Sequence, residues 1–182
     1  MKLWLLRHAQ VDLAAGICYG HSDVPAQAEA TRRAAAAVAG SLPQDATLWV
    51  STLQRCELLA QELRALRPDL TKIPDSRLRE LHFGAWEGLP WSAIPRVEFD
   101  AWLADFAHAR PGGDGECVAE LMIRVAAAWD DWQRRQRDAV WVTHAGVVRA
   151  VRLLERGVRL PSAAGDWPAE PLAFGAAWVV ER

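Results

Sequence analysis

Apolar residues recur along the chain in two different patterns, and each pattern predicts one kind of element. Short apolar runs rich in Val, Leu and Trp are typical of strands. They cover residues 2–6, 46–52, 71–74, 139–145 and 173–181. Longer stretches, in which apolar residues return every three or four positions, predict helices. They cover residues 28–42, 53–66, 97–109, 117–136 and 146–157.

The segments between these elements are rich in residues that make turns. Residues 75–95 hold two glycines and two prolines, which is too interrupted for a long element. Residues 18–27 form a loop by composition, in which Tyr19, His21 and Asp23 could line a pocket or cap a turn.

Strands that alternate with helices are typical of a mostly parallel sheet with helices on both faces. The chain has 182 residues, enough to bury a substantial core, and no segment has the composition of a linker. We therefore expect residues 1–182 to form a single three-layer α/β/α domain.

Charge and hydropathy narrow the classes of partner. Lys and Arg number 21 and Asp and Glu 23, for a formal net charge of −2. Nucleic acid or an anionic membrane surface would favour a basic face, so we expect neither as a partner. No run approaches the ~20 apolar residues of a membrane helix. The N-terminal segment reaches Arg7 too early for a signal peptide.

The three cysteines, Cys18, Cys56 and Cys117, are far apart in sequence. An odd and sparse set argues against both a disulfide framework and a zinc cluster, and it is typical of a reducing compartment. We therefore expect a cytoplasmic protein.

Three of the predicted strands run into polar residues at their carboxyl ends. The first strand leads into Arg7 and His8, the second leads to Arg55 at the start of a helix, and the fourth leads into His144. Each residue alone could have a structural or solvated role. Because the carboxyl ends of parallel strands meet at one edge of a sheet, we expect the four side chains to converge.

Two arginines and two histidines around one point suit a phosphoryl group. Guanidinium groups match phosphate geometry, and helix N-termini add positive charge. A neutral imidazole can attack phosphorus, and a carboxylic acid can protonate the alcohol oxygen that leaves. Glu80 and Glu87 follow the third strand and could supply that proton or could be solvated loop carboxylates.

A metal-dependent hydrolase is a rival interpretation. The five histidines form no H-x-H or H-x-x-x-H pair, and the aspartates are not clustered as a two-metal site requires. They are His8, His21, His82, His108 and His144. We therefore expect no metal and no cofactor.

Five segments, in order, resemble motifs of the histidine phosphatase superfamily, also called phosphoglycerate-mutase-like. They are Arg7–Ala9, Ser51–Arg55, Leu78–Gly88, Gly113–Cys117 and Val142–Gly146. The resemblance extends to about residue 150. It implies a phosphoglycerate-mutase-like fold and a metal-independent phosphatase that acts on a small phosphorylated metabolite.

The resemblance also implies a role for each site residue. His8 would be the nucleophile that becomes phosphorylated, and Glu80 rather than Glu87 would be the proton donor. Arg7, Arg55 and His144 would bind the phosphoryl group.

The chain departs from the family pattern next to the nucleophile. Ala9 replaces the usual glycine with only a methyl group added, whereas Gln10 and Val11 replace the frequent Glu-Thr pair, so phosphate contacts from residues 10 and 11 are in question.

Within the superfamily, "KLWLLRHA", "FGAWEG" and "AWLADFAHARPGGDGE" are similar to α-ribazole phosphatases of cobalamin synthesis. A broad-specificity sugar or nucleotide phosphatase is an alternative. So is a phosphoglycerate mutase, although the chain lacks the longer middle insertion of the mutases. A non-catalytic module that binds a phospholigand is a further alternative, and Ala9 is the feature that supports it.

Overall fold

A five-stranded sheet forms the centre of the molecule, seen in a computed structural model that describes residues 1–170 and 172–182. Its strands are β1 (Lys2–Arg7), β2 (Thr47–Val50), β3 (Thr71–Pro74), β4 (Ala139–Thr143) and β5 (Ala177–Glu181). Their spatial order is β3-β2-β4-β1-β5. The pairs β3–β2, β2–β4 and β4–β1 are parallel, and β5 pairs with β1 in the antiparallel direction.

Helices cover both faces of this sheet. They are α1 (Ala28–Ala39), α2 (Gln54–Leu66), α3 (Arg96–Ala104), α4 (Val118–Arg135) and α5 (Ala145–Glu155). Buried residues of α1 and α2 pack on one face, and those of α4 and α5 pack on the other. The expected single α/β domain with a mostly parallel sheet is thereby confirmed.

Side chains along β1 alternate between the two faces of the sheet, so this one strand contributes to the hydrophobic cores on both faces. Leu3 and Leu5 are fully buried against α4 and α5, while Trp4 and Leu6 pack with α1 and α2. Successive side chains of a strand point to opposite faces, so a strand covered on both faces must be apolar throughout.

Two predicted elements extend four or more residues beyond an end of the observed ones. The last strand begins at Ala177 rather than at residue 173, because Gly175 turns the chain with a φ of 71° and its N–H donates to the carbonyl oxygen of His8 at 3.0 Å. The helix predicted over residues 97–109 ends at Ala104, and the N–H groups of His108 and Ala109 bond to the carbonyl oxygen of Asp105 in a turn.

The order of the strands brings three strand ends together. β4 lies between β1 and β2, and all three run in the same direction. The N–H of His8 donates to the carbonyl oxygen of Thr143, and the N–H of Ser51 donates to that of Val142, both at 3.0 Å. The residues that follow the three strands therefore lie side by side at one edge of the sheet.

No helix in the described part of the chain is long and apolar enough to cross a membrane.

Candidate active site

His8 lies at the end of β1 with 2% of its surface exposed. Its Nδ1 is 2.8 Å from the carbonyl oxygen of Ala9. Since a carbonyl can only accept, Nδ1 carries the proton and Nε2 carries the lone pair. Burial lowers the pKa of His8 to about 3, and the charges of Arg55 and Arg7 contribute. The ring is therefore neutral near pH 7, with a nucleophilic nitrogen directed away from Ala9.

Arg55, near the start of α2, is fully buried. Its Nε donates to Nδ1 of His144 at 3.2 Å, Nη1 donates to the carbonyl oxygen of Ser22 at 2.8 Å, and Nη2 donates to that of Gly20 at 2.6 Å. A guanidinium has five N–H groups. Two of them have no partner within residues 1–170 and 172–182.

His144 follows β4 and is fully buried, with its ring centroid 5.1 Å from that of His8. Because Nδ1 accepts from Arg55, the ring proton is on Nε2, which donates to the hydroxyl of Ser51 at 2.8 Å. Burial lowers the pKa of His144 well below its usual value, and Arg55 adds to this effect. Both ring nitrogens thus bond to protein groups, so direct contact with a phosphoryl group requires Nε2–H to leave Ser51.

Arg7, the last residue of β1, is held by a segment that the sequence pattern did not indicate. Its Nη1 donates to the carbonyl oxygen of Leu172 at 2.6 Å, and its guanidinium lies 3.8 Å from the ring centroid of Phe174. The Nε atom is buried and has no hydrogen-bond partner in the described residues. A half-buried cation with a buried, unused donor is the arrangement that an anionic ligand would complete.

Glu80 approaches this cluster from the segment after β3. Its Oε2 accepts from the N–H of Gly146 at 3.0 Å, and its Oε1 accepts from the N–H of Leu81 at 3.0 Å. A Cβ atom on Gly146 would lie only 2.1 Å from Oε1. The glycine therefore lets the carboxyl group rest against the first turn of α5.

Glu87 has a different environment. It accepts from the N–H groups of His21, Ser22 and Phe83 at 2.6–3.0 Å, and from the Ser22 hydroxyl. Burial raises the pKa of Glu87, but the hydrogen bond from the Ser22 hydroxyl and those from the backbone outweigh it, so the net shift is downward. Glu87 is an ionised acceptor that ties two loops together, which suits a structural role better than proton donation.

Arg124 of α4 fixes the segment that carries Glu80, and sequence reasoning missed it. Its guanidinium donates to the carbonyl oxygens of Arg77 and Arg79 at 2.7 Å and of Glu80 at 3.1 Å. Glu116 pairs with the same guanidinium at 2.6 and 2.7 Å. A charge in the middle of a helix pattern gives no signal that it will collect three carbonyl groups from a distant loop.

The loop before α1 also has a structural component. Asp23 accepts a hydrogen bond from the N–H of Gln54 at 2.7 Å, so it caps the first turn of α2 from another part of the chain. The ring of Tyr19 faces the site, 5.3 Å from the Arg55 guanidinium and 6.5 Å from His8.

The three residues that depart from the family pattern lie in a well-packed segment. Ala9 is buried, the carbonyl oxygen of Gln10 accepts from the N–H of Gln27 at 2.8 Å, and Val11 forms a β-bridge with Ala26.

In the described residues no three His, Cys, Asp or Glu side chains are grouped as a metal ion would require.

Comparison with known proteins agrees with the resemblance seen in the motifs. The model of the histidine phosphatase superfamily (branch 1) matches residues 3–164. A glucosyl-3-phosphoglycerate phosphatase of Mycobacterium tuberculosis is 31% identical over 192 residues, which cover 97% of this chain and 83% of that protein. A metal-independent phosphoserine phosphatase of Arabidopsis thaliana is 33% identical over 92 residues, which cover 47% of this chain and 37% of that protein.

Solved structures agree in fold. The native structure of a mycobacterial glucosyl-3-phosphoglycerate phosphatase superposes with a TM-score of 0.80 at 26% identity, covering 99% of this chain and 89% of the other. A phosphoglycerate mutase from Thermus thermophilus gives a TM-score of 0.74 at 29% identity, covering 100% of this chain and 93% of the other. The chain belongs to the histidine phosphatase superfamily, in its branch 1.

Proposed function

We propose that this protein is a metal-independent phosphomonoester hydrolase that acts through a covalent phosphohistidine on His8. The observation that carries the proposal is the state of the His8 ring, whose Nδ1 is bonded to Ala9 while Nε2 keeps its lone pair. A buried, neutral imidazole between two guanidinium groups is suited to attack a phosphate dianion.

The first step transfers the phosphoryl group to the protein. Nε2 of His8 forms the bond to phosphorus while the bond from phosphorus to the alcohol oxygen breaks. The charged oxygens are held by Arg7 and by the two unused N–H groups of Arg55. Glu80, in its acid form, gives its proton to the departing oxygen, and the alcohol leaves neutral.

The second step returns the protein to its starting state. The Glu80 carboxylate takes a proton from a water molecule, whose oxygen attacks the phosphorus of phospho-His8. The bond from nitrogen to phosphorus breaks, its electron pair returns to Nε2, and inorganic phosphate is released. In this account His144 orients Arg55 through their hydrogen bond and contacts the phosphoryl group after its Nε2–H leaves Ser51.

The substrate is a small phosphorylated metabolite, and α-ribazole 5'-phosphate is the candidate that the sequence motifs favour. A sugar or nucleotide phosphate is the alternative, and the relative named for glucosyl-3-phosphoglycerate supports the sugar class.

A panel of phosphomonoesters tests the proposal. It should contain α-ribazole 5'-phosphate, sugar phosphates, nucleotides and a phosphoglycerate, each with and without a strong chelator and with and without a bisphosphate primer. We expect release of inorganic phosphate that withstands the chelator and needs no primer. Isomerisation that depends on the primer would identify a mutase instead, and binding without turnover would identify a phospholigand-binding module.

A further inference from the structure

A cavity of about 230 Å³ adjoins Glu80, on the side of its carboxyl group where α5 begins. Ala145 and Gly146 form part of its wall, so the cavity and the phosphoryl site share the residues around this carboxyl group. An alcohol that leaves phosphorus must pass its oxygen close to the proton donor. The position of the cavity therefore suits the alcohol portion of a substrate.

The remaining wall is formed mainly by aromatic rings. They are Phe83, Trp91, Phe99, Trp102, Phe106 and Trp167. These rings contact one another in a continuous series, with centroid separations of 5.1 Å for Phe83–Trp91, 6.4 Å for Phe83–Trp102, 5.2 Å for Trp102–Phe106 and 5.7 Å for Phe106–Trp167. Edge-to-face and tilted contacts of this kind hold flat surfaces in fixed positions.

Two hydrogen-bond donors in this wall lack partners. Nε1 of Trp102 and Nε of Arg149 are both buried, and neither has a hydrogen-bond partner among residues 1–170 and 172–182. Buried donors are nearly always satisfied in native structures, by protein, water or ligand. Neither atom is exposed to the cavity as it stands, so a bound acceptor satisfies one of them only after the side chain rotates.

A sugar can stack a C–H face on an aromatic ring, but this wall offers few partners for its hydroxyl groups. Each hydroxyl that leaves water for an aromatic surface loses hydrogen bonds that the rings cannot replace. A planar aromatic group gains from the same surface, through burial and through ring contacts. The lining is thus selective for an apolar, flat guest.

We propose that this cavity is the leaving-group subsite of the same active site, and that it accepts an alcohol carrying a planar aromatic or heteroaromatic group with a hydrogen-bond acceptor. The inference rests on the proposed hydrolase function and narrows its substrate class. The aromatic ring packs among Trp102, Phe99 and Phe106, its acceptor receives the N–H of Trp102, and the ester oxygen lies beside Glu80.

Three synthetic esters separate these contributions. Ethyl phosphate, 2-phenylethyl phosphate and 2-(pyridin-3-yl)ethyl phosphate all release a primary alkoxide, so each needs Glu80 to a similar degree. We expect kcat/KM to be at least about tenfold higher for the phenyl ester than for the ethyl ester, and higher again for the pyridyl ester. Trp102→Leu should reduce the aromatic preference several-fold, and Trp102→Phe should remove only the pyridyl advantage.

Trp49→Leu is the matched control, because Trp49 lies on β2 and does not line this cavity. Equal kcat/KM for the three esters, or a preference that survives Trp102→Leu, would overturn the subsite while leaving the hydrolase intact. Failure of these three esters and of every phosphomonoester in the panel to phosphorylate His8 would contradict the hydrolase instead.

A binding measurement tests the subsite without turnover. Addition of 2-(pyridin-3-yl)ethanol should shift one indole N–H resonance, and that resonance should be missing in Trp102→Phe. If the alcohol leaves the Trp102 resonance unchanged, the subsite is contradicted whatever the catalytic result.

Discussion

Arg55 and His144 are joined inside the protein by a hydrogen bond of 3.2 Å, from the guanidinium Nε to the imidazole Nδ1. The bond sets the tautomer of His144 and the plane of the guanidinium together. The same guanidinium binds the carbonyl oxygens of Ser22 and Gly20, so its two unused N–H groups point in fixed directions. The proposed phosphoryl site thus depends on the shape of an arginine and not only on its charge.

Arg55→Lys should therefore lose most of its activity. An ammonium group keeps the charge but cannot bond to His144 and two carbonyl oxygens while also presenting a pair of donors. We expect kcat/KM to fall on the order of 10²–10³-fold, as when a donor to developing charge is removed, with the fold intact by circular dichroism. Arg135→Lys, at an exposed position, is the control. Full activity of Arg55→Lys would mean that charge alone is sufficient.

Gly146→Ala should displace the carboxyl group of Glu80. The added Cβ would lie 2.1 Å from Oε1, so the side chain must move and give up the N–H of Gly146. We expect a large loss of kcat for alkyl phosphates with little change in thermal stability. Gly40→Ala is the matched control, since a Cβ there meets nothing within 4 Å. Equal activity of both variants would contradict a role for this contact.

Stability should fall in mild acid because of His8. The pKa of His8 is about 3 in the folded protein, against about 6.5 for an exposed imidazole. Between these values the unfolded chain binds a proton that the folded chain does not, so the free energy of unfolding decreases as the pH falls. We expect His8 to account for a loss of about 2 kcal/mol between pH 7 and pH 5.

Urea unfolding of wild type and His8→Asn at both pH values, without phosphate, measures this contribution. Carboxylates titrate equally in the two proteins, so the difference between the two losses isolates His8. If wild type and His8→Asn lose the same free energy of unfolding between pH 7 and pH 5, His8 is freely protonated in the folded protein.

Glu80→Gln should distinguish a proton donor from a residue that only lines the site. An alkoxide leaves poorly without a proton, whereas nitrophenolate leaves readily. In a rapid-quench assay of the first turnover, we expect phosphorylation of His8 to slow by about 10²–10⁴-fold with an alkyl phosphate and little with nitrophenyl phosphate. The first turnover is the required measurement, because the second step uses the same carboxylate. Equal fractional loss with both substrates would make Glu87 the residue to test.

The sequence predicted the part of the site that follows from strand direction. Parallel strands that end in Arg7-His8 and His144 must place these residues at one edge, and the observed order β2-β4-β1 does so. The assignment of Glu80 depended on motif resemblance, since a carboxylate in an irregular loop has no periodic signal.

Other features depend on distant contacts that local patterns do not report. Phe174 lies in a segment that resembled the start of a strand and Leu172 lies just before it, yet both contact Arg7. Arg124 lies in a helical pattern that gave no signal of its role, yet it binds three carbonyl groups of the Glu80 segment. The aromatic cavity likewise needs rings from residues 83–106 together with the distant Trp167, which only the folded structure brings together.

The site of covalent phosphorylation tests the central claim most directly. The protein is mixed with a phosphomonoester that it turns over, quenched in base within the first turnover to preserve phosphohistidine, digested and mapped by mass spectrometry. We expect one phosphoryl group per chain, located on His8, and neither label nor turnover in His8→Asn. Phosphate on another residue, or hydrolysis by His8→Asn at the rate of the wild type, would contradict the assignment of His8 as the nucleophile.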